Sequence, residues 1–176
     1  MFGKPDVVMV HTFCPKKSII PPRGRLVADT GYNLAKRFNV PLLMTVGKTV
    51  QNESRKECEV YRDFLFMTRD RSIKIITGED SNIRDTFMET SEALRLCQKL
   101  SFKKILIVGL HSHISLRAKK FWKKSSCKQN IEFDFVFVKG PIKYYFWELL
   151  MLILEIPFPP RSWRRDLIFN LVGRKG

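Results

Sequence analysis

The sequence predicts an α/β fold: a Rossmann-like, doubly wound, mainly parallel five-stranded sheet with helices on both faces and a C-terminal helical appendage. Three observations predict it. Short apolar segments alternate with amphipathic segments of ten or more residues. Several of the short segments are apolar on both faces, as strands of a parallel sheet are. The chain has 176 residues, 44% of them hydrophobic, which suits one globular domain.

Five segments are expected to be strands because they are short, apolar and bounded by glycine, proline or polar residues. The fourth, KILIVGL, is the most convincing buried strand. The fifth begins by alternating charged and apolar residues, as an edge strand does. The predicted strands cover residues 6–12, 41–46, 73–77, 104–110 and 132–138.

Four segments between these strands carry apolar residues at helical spacing. The third has the most regular pattern, with Phe87 and Leu94 on one face. Strands that alternate with helices of this length predict a parallel sheet with right-handed crossovers. We expect the strand order 3-2-1-4-5. The predicted helices cover residues 26–38, 53–66, 84–100 and 112–124.

We expect residues 1–140 to form the Rossmann-like domain and residues 141–176 an aromatic and basic helical appendage packed on it. Residues 143–156 are strongly apolar and aromatic, and Trp163 lies among arginines. This composition suits helices that cover the sheet, and it suits helices that lie in a membrane interface. The sequence leaves both interpretations open. No segment has the ~18 uninterrupted apolar residues of an ordinary transmembrane helix.

All three histidines of the chain follow the first and fourth predicted strands, as His11, His111 and His113. In doubly wound sheets a ligand binds beyond the carboxyl ends of the strands, where the strand order reverses, which here is between these two strands. Thr12, beside His11, belongs to the same group. Because histidine exchanges protons near neutral pH, His111 and His113 are the candidate catalytic residues, as general acid or base. In the alternative interpretation one histidine closes a strand end and the others are solvated.

The helix after the fourth strand predicts an anion site. We expect Ser112 to cap this helix, which leaves backbone N–H groups free for a phosphate or carboxylate. Arg117 lies four residues after His113 and therefore on the same helix face. Arg25 opens the first helix close to the crevice and is a further cationic candidate.

A second polar cluster follows the third strand and contains Glu79, Asp80, Asp85 and Thr86. Two interpretations fit it equally well. The cluster can be a turn followed by a helix cap. It can also be a pair of carboxylates that face the ligand.

In their order along the chain, these residues resemble the ElyC/SanA/YdcF family, a bacterial envelope-associated group with a Rossmann-like fold. The resemblance covers roughly residues 6–140. Met88 stands where the family has glutamate, and the spacing from His113 to Arg117 is one residue longer than in the family. The matching positions are Arg25-Leu26, Glu57-Cys58, Glu79-Asp80, Asp85-Thr86, His113 and Arg117-Ala118.

The resemblance implies a pocket for a nucleotide-like or phosphorylated small molecule, such as S-adenosylmethionine, and a role in cell-envelope metabolism. It adds Glu57 to the ligand-binding residues and implies no particular reaction. The expected function is therefore the binding of such a ligand, with turnover left open.

The charge of the chain predicts an anionic partner. Lys and Arg number 32 against 17 Asp and Glu, which gives a net charge of +15. Residues 103–128 contain eight Lys or Arg and no acidic residue. Since no nucleic-acid-binding signature accompanies them, we rank an anionic membrane surface above nucleic acid. The alternative functions are thus a non-enzymatic membrane-surface factor and, less favoured, a nucleic-acid-binding protein.

The four cysteines are widely and irregularly spaced, which argues against a zinc site and against a disulfide scaffold. We therefore expect no metal site and a reducing compartment. The predicted location is the cytoplasm, with peripheral attachment to the inner face of the membrane as the alternative. The four cysteines are Cys14, Cys58, Cys97 and Cys127.

Overall fold

The computed structural model describes residues 3–12, 19–47, 55–80, 83, 85–126 and 129–155. It contains a five-stranded sheet in which every neighbouring pair of strands is parallel and the order is β3-β2-β1-β4-β5. This confirms the predicted Rossmann-like fold class and strand order. The last two strands have the predicted bounds, and the first three are shorter. The strands are β1 (Val7–Val10), β2 (Leu42–Met44), β3 (Ile75–Thr77), β4 (Lys104–Leu110) and β5 (Glu132–Val138).

Helices connect the strands as predicted, with some different bounds. The first begins four residues early because Pro22 occupies its start, where a missing N–H is tolerated. The helix after β4 runs in three consecutive parts, of which the middle one is a π turn. The helices are α1 (Pro22–Phe38), α2 (Glu57–Thr68), α3 (Thr86–Lys99), α4 (His111–His113), the π turn (Ile114–Ala118), α5 (Lys119–Ser126) and α6 (Lys143–Glu155).

The core has two layers, one on each face of the sheet. Alternate residues of β1 enter different layers, as the period of two in a strand requires: Val8 and Val10 pack with α1 and α2, and Val7 and Met9 pack with α3 and α5. The second layer contains the fully buried Trp122 of α5. The central strand is therefore covered by apolar side chains on both faces.

The helix α6 lies against α4 and the π turn. The ring of Tyr144, in its first turn, packs beside the core layer of α1 and α2 and under the guanidinium of Arg23, 4.0 Å from the ring centroid. Within the described residues, no helix combines the length and the apolar character that crossing a bilayer requires. The predicted segment around Trp163 lies outside the described residues.

Cys58 and Cys97 are buried free thiols, as expected for reduced cysteines in a core. Burial raises the pKa of Cys58 to about 11 and that of Cys97 to about 12, so both thiols stay protonated at neutral pH. Cys14 and Cys127 lie outside the described residues.

Candidate functional site

The carboxyl ends of β1 and β4 meet at the point where the strand order reverses. Val10 pairs with Val108, and the backbone N–H of His11 donates to the Val108 carbonyl at 3.0 Å. At Gly109, a Cβ would lie 3.1 Å from the side chain of Ile114 and 3.5 Å from that of His11. The absence of a side chain there allows the helix after β4 to pack close to the end of β1.

His11 lies at the centre of a buried hydrogen-bond chain. Its Nδ1 is 2.8 Å from Oε2 of Glu89 on α3, and its Nε2 is 3.0 Å from the indole nitrogen of Trp122 on α5. An indole N–H is only a donor, so Nε2 must accept and Nδ1 must carry the hydrogen that Glu89 accepts. The chain Trp122–His11–Glu89 fixes one tautomer of His11 and joins three elements of the domain.

A second buried cluster, the ion triad, consists of His113, Arg117 and Glu148. The guanidinium of Arg117 donates to Oε2 of Glu148 at 2.9 Å, and Nδ1 of His113 lies 3.2 Å from the same oxygen. The three residues are 7%, 1% and 6% exposed. Burial by itself would raise the pKa of Glu148, but its contacts with His113 and Arg117 hold that pKa well below its ordinary value. The predicted shared face of His113 and Arg117 is confirmed.

The two clusters touch through their histidines. The rings of His11 and His113 pack edge to face, with centroids 5.2 Å apart. The structure thus brings these two predicted site residues together. His111 lies apart on the surface, where its ring packs on Phe137 and its Nδ1 contacts the hydroxyl of Tyr145.

Three buried polar atoms around this point have no hydrogen-bond partner among the described residues: Oγ1 of Thr12, Oγ of Ser112 and Oε1 of Glu89. The three residues are 9%, 2% and 4% exposed. Buried polar atoms nearly always have a partner, and an unsatisfied one costs about 1–3 kcal/mol. The carboxyl ends of β1 and β4 therefore carry hydrogen-bonding capacity that the described part of the chain does not use.

The predicted capping role of Ser112 is wrong. The helix begins one residue earlier, at His111, so the capping position falls on Leu110, which makes no side-chain hydrogen bond to the helix. The reason is that β4 passes directly into the helix and Leu110 is needed in the core. Ser112 lies inside the first turn with its hydroxyl buried.

The remaining basic and acidic candidates lie in other surroundings. Arg25 is exposed, donates to the Ile20 carbonyl at 3.2 Å and lies over Phe64. Glu57 is 1% exposed at the start of α2, and its backbone N–H donates to the Gly47 carbonyl just after β2.

The polar cluster after β3 divides between a helix cap and the surface. Asp85 caps α3 by accepting from the backbone N–H of Met88 at 2.8 Å, and Thr86 is the buried first residue of that helix. Glu79 is exposed and pairs with Arg95 and Lys99. Asp80 is exposed too, and both acidic residues line a surface groove of about 450 Å³ beside α3. For Asp85 the structure supports the turn-and-cap interpretation.

His11, Glu89 and His113 are residue types that bind transition metals, and their ligand atoms lie within 4.8 Å of one another. A metal ion on Nδ1 of His11 would require the hydrogen to sit on Nε2. The indole N–H of Trp122 points at that atom, so two hydrogens would compete for one space. The donor set therefore fits the hydrogen-bond chain better than a metal ion.

Sequence reasoning missed three residues of the site: Glu89, Trp122 and Glu148. One signal was available for Glu148, which interrupts an apolar helix, because a carboxylate in such a position needs a buried partner. Another was available for Glu89, which lies one helical turn after the capping residue Asp85 and hence on the same face. Trp122 stands among lysines and gives no comparable signal.

Neither the protein-family models nor the curated proteins contain a match to this chain. The side chains at the carboxyl ends of β1 and β4 are therefore the basis for proposing a function.

Proposed function

We propose that the chain binds a phosphorylated or nucleotide-like small molecule in a crevice beyond the carboxyl ends of β1 and β4. The observation that carries the proposal is the set of buried polar atoms on Thr12, Ser112 and Glu89 that have no hydrogen-bond partner among the described residues. They lie where ligands bind in doubly wound sheets. Arg117, in the same helix as Ser112, is a buried cation whose guanidinium bonds the carboxylate of Glu148, and it is the positive charge that we assign to an anionic ligand.

The unused atoms suggest which ligand groups they would contact. The hydroxyls of Thr12 and Ser112 can donate to phosphate or carboxylate oxygens, as can backbone N–H groups at the start of the helix, where no side chain caps. Oε1 of Glu89 is an acceptor and suits an N–H or O–H of the ligand. A molecule with an anionic end and a polar donor, such as a nucleotide or S-adenosylmethionine, has both kinds of group.

Of the two candidate catalytic histidines, His113 is the better placed. It is buried against His11 and belongs to the ion triad, whereas His111 is exposed beside Tyr145. Both ring nitrogens of His11 are engaged in hydrogen bonds to Glu89 and Trp122, so we assign His11 to holding the site together. We assign His113 as the residue that would transfer a proton if the bound ligand reacts.

The resemblance to the ElyC/SanA/YdcF family stays a prediction, and it favours a role in envelope metabolism. The extra residue between His113 and Arg117 is compatible with that resemblance, because a π turn takes up one residue more than an α-helical turn. Both residues still reach Oε2 of Glu148.

The test is a thermal-shift screen of nucleotides, S-adenosylmethionine and sugar phosphates against the wild type and the variant Ser112→Ala with Thr12→Val. A ligand at about 100 times its Kd should stabilise the wild type by ~2.7 kcal/mol. The variant loses two buried hydroxyls that have no partner in the part of the chain that the structure describes, so we expect a higher Tm without ligand and a reduced ligand-induced shift.

Ser91→Ala is the matched control, since the Ser91 hydroxyl lies exposed on α3 and already bonds the Phe87 carbonyl. This variant should keep the full ligand-induced shift. Stabilisation of the double variant to the same extent as the wild type would refute the assignment of the crevice, and so would a wild type that no compound stabilises.

The second candidate function, attachment to a membrane surface, is favoured by one observation. Apolar side chains form a stripe on the outer face of α6 and the turn before it, at the spacing of one helix face. Such a stripe suits a helix that lies in a bilayer interface, and the net charge of +15 suits anionic lipid. The exposed side chains of this apolar stripe are Ile142, Phe146, Leu149, Leu150 and Ile153.

Sedimentation with phosphatidylglycerol vesicles tests the attachment. Phe146→Ser with Leu150→Ser should reduce the bound fraction, and salt should reduce it further. Met67→Ser is the control, because Met67 is an equally apolar side chain, 81% exposed, on α2. Equal binding by all three proteins would exclude attachment through the apolar stripe.

A further inference from the structure

We infer that Glu148 occupies the anion site of the crevice, and that an oxyanion group of the ligand replaces it on Arg117 and His113 when α6 moves away. This inference rests on the proposed function. It adds the ligand group that enters the site, a carboxylate or phosphate, and makes α6 a lid that carries an internal competitor.

The first observation that supports the inference is the contact that Arg117 makes. Arg117 is 1% exposed, and the Glu148 oxygen that accepts from it comes from a helix 31 residues further along the chain. Guanidinium groups bind carboxylate and phosphate oxygens with the same fork of N–H donors. The carboxylate of Glu148 therefore stands in the position that an anionic ligand would take.

The second observation that supports the inference is the set of residues next to the ion triad. His113 follows Ser112 directly and packs against His11, which precedes Thr12. The triad thus includes the sequence neighbour of Ser112 and touches the sequence neighbour of Thr12, and the buried hydroxyls of both have no partner among the described residues. Both hydroxyls therefore belong to the same strand ends as the ion triad, those of β1 and β4.

The third observation that supports the inference is the exposure of the α6 side chains. The structure describes the exposure of nine α6 side chains, and Glu148 is the one buried among them. Tyr144, Tyr145 and Leu152 are half-buried, and the remaining five are exposed. Among these nine, the deepest contact of α6 with the domain is ionic. An ionic contact can be exchanged for another anion, and switching is among the best-attested uses of buried ion pairs.

The experiment compares the wild type with Glu148→Gln by titration calorimetry. The probes are inorganic phosphate, adenosine monophosphate and a short-chain phosphatidic acid below its micelle concentration. Because an apparent affinity is reduced by the fraction of molecules in the competent state, removing the competing charge should tighten phosphate binding roughly 10-fold or more. The matched control is Glu132→Gln, which makes the same change of charge on an exposed residue of β5 and should leave the affinity unchanged.

Amide hydrogen exchange of the wild type provides a second measurement that needs no variant. Phosphate should speed exchange in α6 and leave α3 unchanged. An unchanged affinity in Glu148→Gln, or α6 amides that phosphate protects, would overturn the inference. A larger gain for adenosine monophosphate than for phosphatidic acid identifies a soluble ligand, and the reverse identifies a lipid headgroup.

Failure of this inference and failure of the proposed function give different results. If a probe binds the wild type and Glu148→Gln equally and loses affinity in Ser112→Ala with Thr12→Val, the crevice stands and Glu148 is only a structural brace. If none of the three proteins binds any probe, both proposals fail.

Discussion

Two buried clusters meet at the carboxyl ends of β1 and β4, and they differ in what they join. The hydrogen-bond chain Trp122–His11–Glu89 joins a strand to two helices of the same core layer, and both nitrogens of its histidine are satisfied. The ion triad of His113, Arg117 and Glu148 joins the domain to α6, whose outer face is exposed. The comparison suggests that the first cluster belongs to the permanent fold and the second is exchangeable.

The largest expected effect comes from Arg117→Ala. It would leave the carboxylate of Glu148 buried without its guanidinium, and breaking such a pair costs about 3–5 kcal/mol of the free energy of unfolding. Lys99→Ala is the control, because both members of its pair with Glu79 are exposed and surface pairs contribute little. Urea denaturation measures both variants. Similar small losses in the two would mean that the ion triad does not hold α6 in place.

Trp122→Phe is expected to cost less, about 1–3 kcal/mol, because it leaves Nε2 of His11 buried without a donor. A double-mutant cycle with Glu89→Gln should show coupling, since both substitutions act on the same ring. If the hydrogen-bond chain Trp122–His11–Glu89 is a permanent part of the fold, Trp122→Phe should lower the free energy of unfolding. The folded variant should still bind ligand with wild-type affinity. Additive losses of stability in the double variant would contradict the coupling. A loss of ligand affinity in Trp122→Phe without a loss of stability would contradict the assignment of the hydrogen-bond chain to the permanent fold.

The smallest effect is a change in the pH dependence of stability. The folded-state pKa of Glu148 lies below its ordinary value of 4.5. The ionised carboxylate therefore contributes its full stabilisation of the folded state above pH 4.5, and this contribution is lost as the pH falls towards the folded-state pKa. We expect the wild type to be more stable than Glu148→Gln at pH 7 and this difference to shrink in acid. Thermal unfolding from pH 7 to pH 3 measures it. A difference that stays constant would show that the charge of Glu148 is not what stabilises the contact.

The sequence predicted the sheet well because its signals are local. Each strand is a short apolar segment, and the alternation with helices is enough to fix the parallel order. The site was predicted only in part, because the strand ends locate His11 and His113 but not their partners. Glu89 and Trp122 are 78 and 111 residues from His11 in sequence. Which residues of the helix after β4 face His11 depends on a π turn that hydrophobic periodicity does not reveal.

That π turn has a consequence for how the gene can change. The helix from His111 to Ser126 presents Arg117 to α6 on one side and Trp122 to His11 on another. Removing one residue within Ile114–Ala118 would rotate everything after it by about 100° relative to what precedes it. A single-codon deletion there would disconnect one cluster from its partners, whereas many substitutions among the exposed lysines of α5 would be silent. The length of this helix is therefore constrained far more strictly than its surface composition.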